Sequence, residues 1–250
     1  MNTKYFNDDM QQLDPKNINA IHMPVLFLLD TSYSMDGEPI RKLQKSINRF
    51  KKDVCKNPQV ADIVDICIMG FNGSPYMIQE WRPIGDMSPV ELSAEGGTNI
   101  TAAIEGAISK MRERTNVYAD EGIDLRVPWI IMLSDGYGGD VTDIAATIKQ
   151  RTSEKKVKFW MLGIGGYDKE TAAKLTEGKR ILELADDAGY DFTDFFDFMS
   201  TSIKTVSTSA PGAKVHIDDP TEKPNSTLKH ADLDACLLYT SPSPRDLSTS

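Results

Sequence analysis

The sequence predicts an α/β fold: a doubly wound, mostly parallel sheet with helices on both faces and one antiparallel edge strand. Three observations carry that expectation. Short, continuous apolar runs recur along the chain, as strands buried on both faces require. Segments with apolar residues at steps of three and four separate them, each giving one buried helical face. One pair of strand runs is joined only by the turn residues Asn72-Gly-Ser-Pro75, which makes a hairpin at an edge.

The first run, Pro-Val-Leu-Phe-Leu-Leu-Asp over 24–30, is a central strand, and the polar loop Thr31–Gly37 follows. Ile40, Leu43, Ile47, Phe50 and Val54 then mark a helix whose first turn accommodates Pro39. The run 63–71 is a second strand and 76–81 its antiparallel neighbour. After the loop Glu95-Gly-Gly-Thr-Asn99, residues Ile100, Ile104, Ala107, Ile108 and Met111 define a helix, with Thr98 or Asn99 as its cap. Residues 127–133 are a strand ending in Ser134-Asp-Gly-Tyr-Gly-Gly139, and a helix over about 141–154 follows. A fifth strand spans 158–164 and a short sixth 181–184. A last helix over 192–206 places Phe192, Phe195, Phe196 and Met199 on one core-facing stripe.

Composition narrows the function. The chain has 250 residues, long enough to bury a core without disulfide or metal staples. With Lys+Arg 28 against Asp+Glu 37, its net charge is -9, which argues against partnership with nucleic acid or an anionic membrane. Cys55, Cys67 and Cys236 form no C-x-x-C pair, so a disulfide framework and a cysteine zinc site are not expected. The N-terminus lacks an apolar signal core and no run approaches a membrane span. A reducing, cytoplasmic setting is the expectation.

In parallel sheets of this kind ligands bind at the carboxyl ends of the strands. Three loops lie there: 30–37, 95–99 and 134–139. They bring Asp30, Ser32, Ser34, Thr98 and Asp135, two carboxylates and three hydroxyls. An all-oxygen set of this composition suits Mg²⁺ or Mn²⁺ rather than zinc. Only two formal charges oppose a divalent cation, so one position is expected to remain for water or for an Asp or Glu of a protein partner. Singly, Asp30 or Asp135 also fits a turn or helix cap, and Thr98 a helix N-cap; the five in register point to an ion.

Asp30-Thr-Ser-Tyr-Ser34, Gly97-Thr98 and Ser134-Asp135-Gly136 resemble, in order, the three parts of the metal-ion-dependent adhesion site of von Willebrand factor A domains. The resemblance covers about 24–206 and implies that family's Rossmann-like fold. It implies Mg²⁺ or Mn²⁺ held directly by Ser32 and Ser34, with Thr98, Asp30 and Asp135 alternating between direct and water-mediated contact. D-T-S-x-S-M-x-G-E-P-I resembles the bacterial tellurium-resistance-type (TerY-like) group, which implies a stress-response or phage-defence assembly and a kinase and phosphatase as neighbours. Tyr33 stands where most of that group have glycine, although tyrosine occurs there in other A domains such as integrin β chains. Tyr33 and Tyr137 are the expected partner-binding rim.

No catalysis is expected. A phosphoryl-transfer site built on an aspartyl nucleophile wants a second carboxylate two residues on, where Ser32 stands, and a nearby basic residue, which 31–37 lack. His22, His216 and His230 are scattered, and none reads as a catalytic base. Gly163-Ile-Gly-Gly166 lacks the third glycine of a dinucleotide fingerprint and reads as a tight turn. A regulatory subunit of an AAA+ ATPase is the alternative that shares the metal chemistry. Asp186-Asp187 and Asp191, Asp194 and Asp197 are expected on solvated faces. Residues 1–20 read as a polar lead, 21–208 as the domain and 209–235 as a linker or disordered tail. Cys236–Asp246 resembles an in-frame translation of a transposon-type sequencing adapter, so 236–250 are expected to be an artefact and no part of the fold.

Overall fold

The computed structural model describes residues 12–136, 139–210 and 213–231. Its strands are β1 (Met23–Asp30), β2 (Val64–Phe71), β3 (Pro75–Pro83), β4 (Trp129–Ser134), β5 (Lys158–Gly163), β6 (Ile181–Leu184) and β7 (Leu228–His230). They form one sheet in the order β3-β2-β1-β4-β5-β6-β7. The five inner strands run parallel, and β3 and β7 pair antiparallel at the two edges. The doubly wound, mostly parallel architecture is thus as expected.

Strand periodicity divides the core into two layers. Val25, Phe27 and Leu29 of β1 face one layer, while Leu26 and Leu28 face the other. The first layer lies under α1 (Glu38–Val54), the six-residue α2 (Pro58–Ile63) and α6 (Thr193–Thr208); Phe27, Phe50 and Phe196 meet there with ring centroids 5.2–5.7 Å apart. The second lies under α3 (Ile100–Glu121), α4 (Thr142–Ser153) and α5 (Lys169–Thr176). Both faces of β1 are therefore covered, which is why its sequence does not alternate.

Local chemistry sets the helix ends. Gly37, at φ 83, turns the chain into α1, where Pro39 sits in the first turn. The Asn99 side chain caps α3 by accepting from the Ala102 N–H at 3.1 Å, which leaves Thr98 free of that task. Asp168 caps α5 through the N–H groups of Glu170 and Thr171. The phenylalanine stripe of α6 is buried as expected.

The structure goes beyond the sequence reading at several places, the short helices α2 and α5 among them. Within 209–235, read as a linker, Leu228–His230 adds β7 to the sheet, with Leu228 opposite Leu184 and His230 opposite Leu182. Asp194, expected on a solvated face, is buried and anchors that return: it accepts from the Thr227 N–H at 2.8 Å and pairs with Lys223. The burial is sustained because every added carboxylate contact is a hydrogen bond to its charged form. His22 is fully buried beside Asp65, at 2.7 Å, in a network with Arg114 and Tyr118. Among the described residues no helix is long and apolar enough to cross a membrane.

Candidate metal centre at the strand ends

Asp30 closes β1 and is fully buried. One carboxylate oxygen accepts from the backbone N–H of Ser32 at 2.9 Å, and the other from the hydroxyl of Ser134 at 2.6 Å. Ser134 ends β4, and its hydroxyl oxygen also accepts from the Gly136 N–H at 3.1 Å. The first and third loops are thus tied together through the Asp30 side chain. Beyond Ser32, a short 3-10 turn over Tyr33–Met35 lifts Ser34 to the surface. The Ser32 and Ser34 hydroxyl oxygens lie 3.0 Å apart, and Ser34 donates to Asp135 at 2.9 Å.

Thr98 enters from the second loop. A Cβ built on Gly136 would lie 2.8 Å from Thr98 Cγ2, 3.1 Å from its hydroxyl oxygen and 3.3 Å from an Asp30 carboxylate oxygen. Gly136 is therefore the point where the second and third loops close on Asp30, and its missing side chain permits the approach. All five residues singled out by the sequence are brought to this end of the sheet. Tyr33, expected at the rim, is 71% exposed. Tyr137, the other expected rim residue, lies outside the described residues.

The loops are fastened from beneath. The Thr31 N–H donates to the Phe71 carbonyl at 2.8 Å, and the Glu95 N–H donates to the Thr31 carbonyl at 2.8 Å. The Tyr33 N–H donates to the Gly96 carbonyl at 3.0 Å. Tyr76 donates its phenol to the Thr31 hydroxyl at 2.9 Å, lying across Gly70, where any side chain would collide with the ring. Two contributors absent from the sequence-based site are thus Ser134, which was visible in the Ser-Asp-Gly motif, and Tyr76, for which the sequence held no signal.

The electrostatics leave a cation wanting. Among the described residues neither Asp30 nor Asp135 has an ion-pair partner. Burial pushes the Asp135 carboxyl above the ordinary aspartate range; the Ser34 hydrogen bond opposes that, and the neighbouring Asp30 charge adds to it. Uncompensated buried charge is costly, and a bound cation is one means of compensating it. Among the described residues no group of three or more His, Cys, Asp or Glu side chains is placed to hold a metal. A centre here would draw on the hydroxyls as well as the carboxylates, a hard-oxygen set fitted to Mg²⁺ or Mn²⁺.

No protein-family model and no curated protein sequence matches the chain. Solved structures do. A von Willebrand factor type A protein from Catenulispora acidiphila aligns over 74% of this chain and 43% of its own, with 13% identity and a TM-score of 0.56. The pilus adhesin SpaC of Lactobacillus rhamnosus GG, in an open conformation, aligns over 76% of this chain and 31% of its own, with 13% identity and a TM-score of 0.59. BatB of Bacteroides thetaiotaomicron aligns over 75% of this chain and 100% of its own, with 18% identity and a TM-score of 0.52. The chain thus spans less than half the length of the first two. At these identities the likeness is one of architecture, and that architecture is the von Willebrand factor A fold.

Proposed function

We propose that this protein is a metal-dependent protein-interaction module with no turnover of its own. Asp30, Ser32, Ser34, Thr98 and Asp135 would hold Mg²⁺ or Mn²⁺, and the ion would supply a Lewis-acidic point for an Asp or Glu carboxylate of a partner. The observation that carries the reading is the buried Asp30 carboxylate: among the described residues it has no ion-pair partner, and hydroxyls and a second carboxylate from three strand-end loops gather around it. The exposed ring of Tyr33 would belong to the surface that reads the partner. The described adhesin neighbour is compatible with binding as the output of this fold, not with any particular partner.

The finer reading rests on the sequence motif alone. It places the module in the cytoplasm, in a bacterial stress-response, tellurium-resistance or phage-defence assembly, beside a kinase and a phosphatase. An AAA+ ATPase partner would use the same metal chemistry. Capture from a native lysate in Mg²⁺ and again in EDTA separates them by which class of protein is retained only with the ion.

Thermal unfolding of the full chain, titrated with Mg²⁺ and with Mn²⁺, tests the site. A cation that binds only the folded state raises stability by about 2.7 kcal/mol at a hundredfold excess over Kd. The wild type should gain this, and Asp30→Ala and the Ser32→Ala/Ser34→Ala double variant should not. The double variant removes the buried Ser32 hydroxyl and the exposed Ser34 hydroxyl and leaves the Asp30 bonds to the Ser32 N–H and the Ser134 hydroxyl in place. Equal cation response in that variant and the wild type would overturn the site assignment.

A further inference from the structure

At the opposite end of the sheet, where the chain enters β4 and β5, residues of α3 and the end of α4 line a cleft of about 500 Å³. Its floor is apolar: Ile108 and Met111 of α3, Ile130 of β4, and Val157 just before β5. Five cations line its walls: Arg112, Arg126, Arg151, Lys155 and Lys156. Among the described residues the first four form no ion pair, and Lys156 alone is paired, with Glu154 at 2.7 Å. Arg126 gives one guanidinium N–H to the Ser209 carbonyl, but its Nε is buried without a hydrogen-bond partner. Lys155 holds φ 56, a position after a helix where glycine is the unstrained choice.

These features run against the composition. In a chain of net charge -9, an acidic neighbour for each cation is the ordinary expectation. Here four of the five lining cations stand without an ion-pair partner among the described residues, beside apolar surface. The volume is within the range of small-molecule sites, about 300–1,000 Å³. The candidate metal centre lies apart: from Ile130 to Ser134 β4 climbs four residues, roughly 13 Å at the rise of a strand.

We infer that this cleft is a binding site for a small amphipathic anion, an apolar body seated on Ile108, Met111, Ile130 and Val157 with a carboxylate, phosphate or sulfonate head held by the arginines. Guanidinium groups suit such a head because their N–H fork matches its oxygens, and an apolar floor under them excludes competing water.

The probes are 8-anilinonaphthalene-1-sulfonate, followed by its fluorescence, with laurate and inorganic phosphate as competitors, on the full chain. The wild type should bind the dye saturably, and laurate should displace it while phosphate at the same concentration does not. Arg112→Glu and Arg151→Glu should each raise Kd about tenfold or more, as expected for loss of a charge-assisted hydrogen bond. Ile108→Trp, which fills the floor and leaves every cation in place, should do likewise. Circular dichroism and the thermal midpoint establish that each variant is folded. Dye binding unchanged in the three folded variants overturns the inference. So does displacement by phosphate as effective as by laurate, which would mark a simple anion site. Co-sedimentation with phosphatidylglycerol vesicles without laurate binding would overturn it in favour of a membrane surface, and displacement by an acidic peptide alone in favour of a protein dock.

Discussion

Gly136→Ala puts the convergence of the three loops to a quantitative test. The new Cβ would stand 2.8 Å from Thr98 Cγ2, where carbon atoms pack at about 3.5–4.0 Å, so one side must yield by roughly 0.7 Å or more. Neither side yields freely. The Thr98 loop is held through the Asn99 N–H, which donates to the Asn72 carbonyl at 2.8 Å, and Gly136 is tied to Ser134 and through it to Asp30. Overpacking of this kind costs about 1–3 kcal/mol. For a domain of this size that lowers the apo midpoint by about 2–4 °C for each kcal/mol. The larger effect should fall on the ion, because ligand distances in a metal site are held to about 0.2 Å. A tenfold rise in Kd cuts the stabilisation at a cation concentration a hundredfold above the wild-type Kd from about 2.7 to about 1.4 kcal/mol. Differential scanning fluorimetry of wild type and variant, each with and without Mg²⁺, reads that difference within each protein, so a lower apo midpoint does not confound it. If Gly136→Ala gains as much from the ion as the wild type, Thr98 and Asp30 do not share an ion at Gly136, and the centre is misassigned.

Three further perturbations test other parts of the molecule. Asp65→Ala leaves the fully buried Arg114 without its carboxylate, and urea unfolding should show a loss of about 3–5 kcal/mol, with Asp65→Leu/Arg114→Met losing less than the single change. Asp194 has its carboxyl lowered: burial would raise it, but the Lys223 and Thr227 hydrogen bonds outweigh that. A depressed native pKa stabilises above the unfolded value, about 3.9, and is lost as pH falls below it, so the stability advantage of wild type over Asp194→Asn should be present at pH 7 and shrink below about pH 4 in urea titrations. Tyr33→Ala removes an exposed ring but none of the site's oxygens; its Mg²⁺-dependent midpoint shift should match the wild type, while retention of a Mg²⁺-dependent partner in pull-down should fall.

The sequence exposes what is periodic or clustered and hides what depends on distant partners. The five inner strands and the long helices α1, α3, α4 and α6 were legible because each carries an apolar pattern of its own. The six residues of α2 and eight of α5 are too short for such a pattern, although Asn57-Pro58 and Asp168 were proper start signals. The strand β7 was hidden for a different reason. Only Leu228 in it is buried, and what fixes it is Asp194, thirty-four residues earlier, whose spacing with Asp191 and Asp197 looks like a solvated helix face until Thr227 and Lys223 are brought to it. The site residues were legible because strand-end loops in a parallel sheet are adjacent by topology, so short motifs far apart in the chain add up. Tyr76 was not, since its task is to lean on Gly70 and reach Thr31, a contact between strands that no local pattern encodes.

The manner in which the loops are held bears on how such a module would recognise a partner. Each of the first two loops is pinned by main-chain bonds to the other or to β2, so the backbone under Tyr33 is fixed while its ring stands 71% exposed. A rim that is ordered before binding spares the complex the entropy of ordering side chains and loops, about 0.5–1.5 kcal/mol for each flexible side chain immobilised. Specificity then has two separable sources: a cation that any carboxylate could satisfy, and a fixed apolar edge that only some surfaces fit. The Tyr33 and Asp30 variants separate them, because loss of the ion should abolish retention of every partner, whereas loss of the ring should weaken partners unequally. Equal weakening by Tyr33→Ala across unrelated carboxylate-bearing partners would mean that the ring acts on the ion's surroundings and not on the partner's surface.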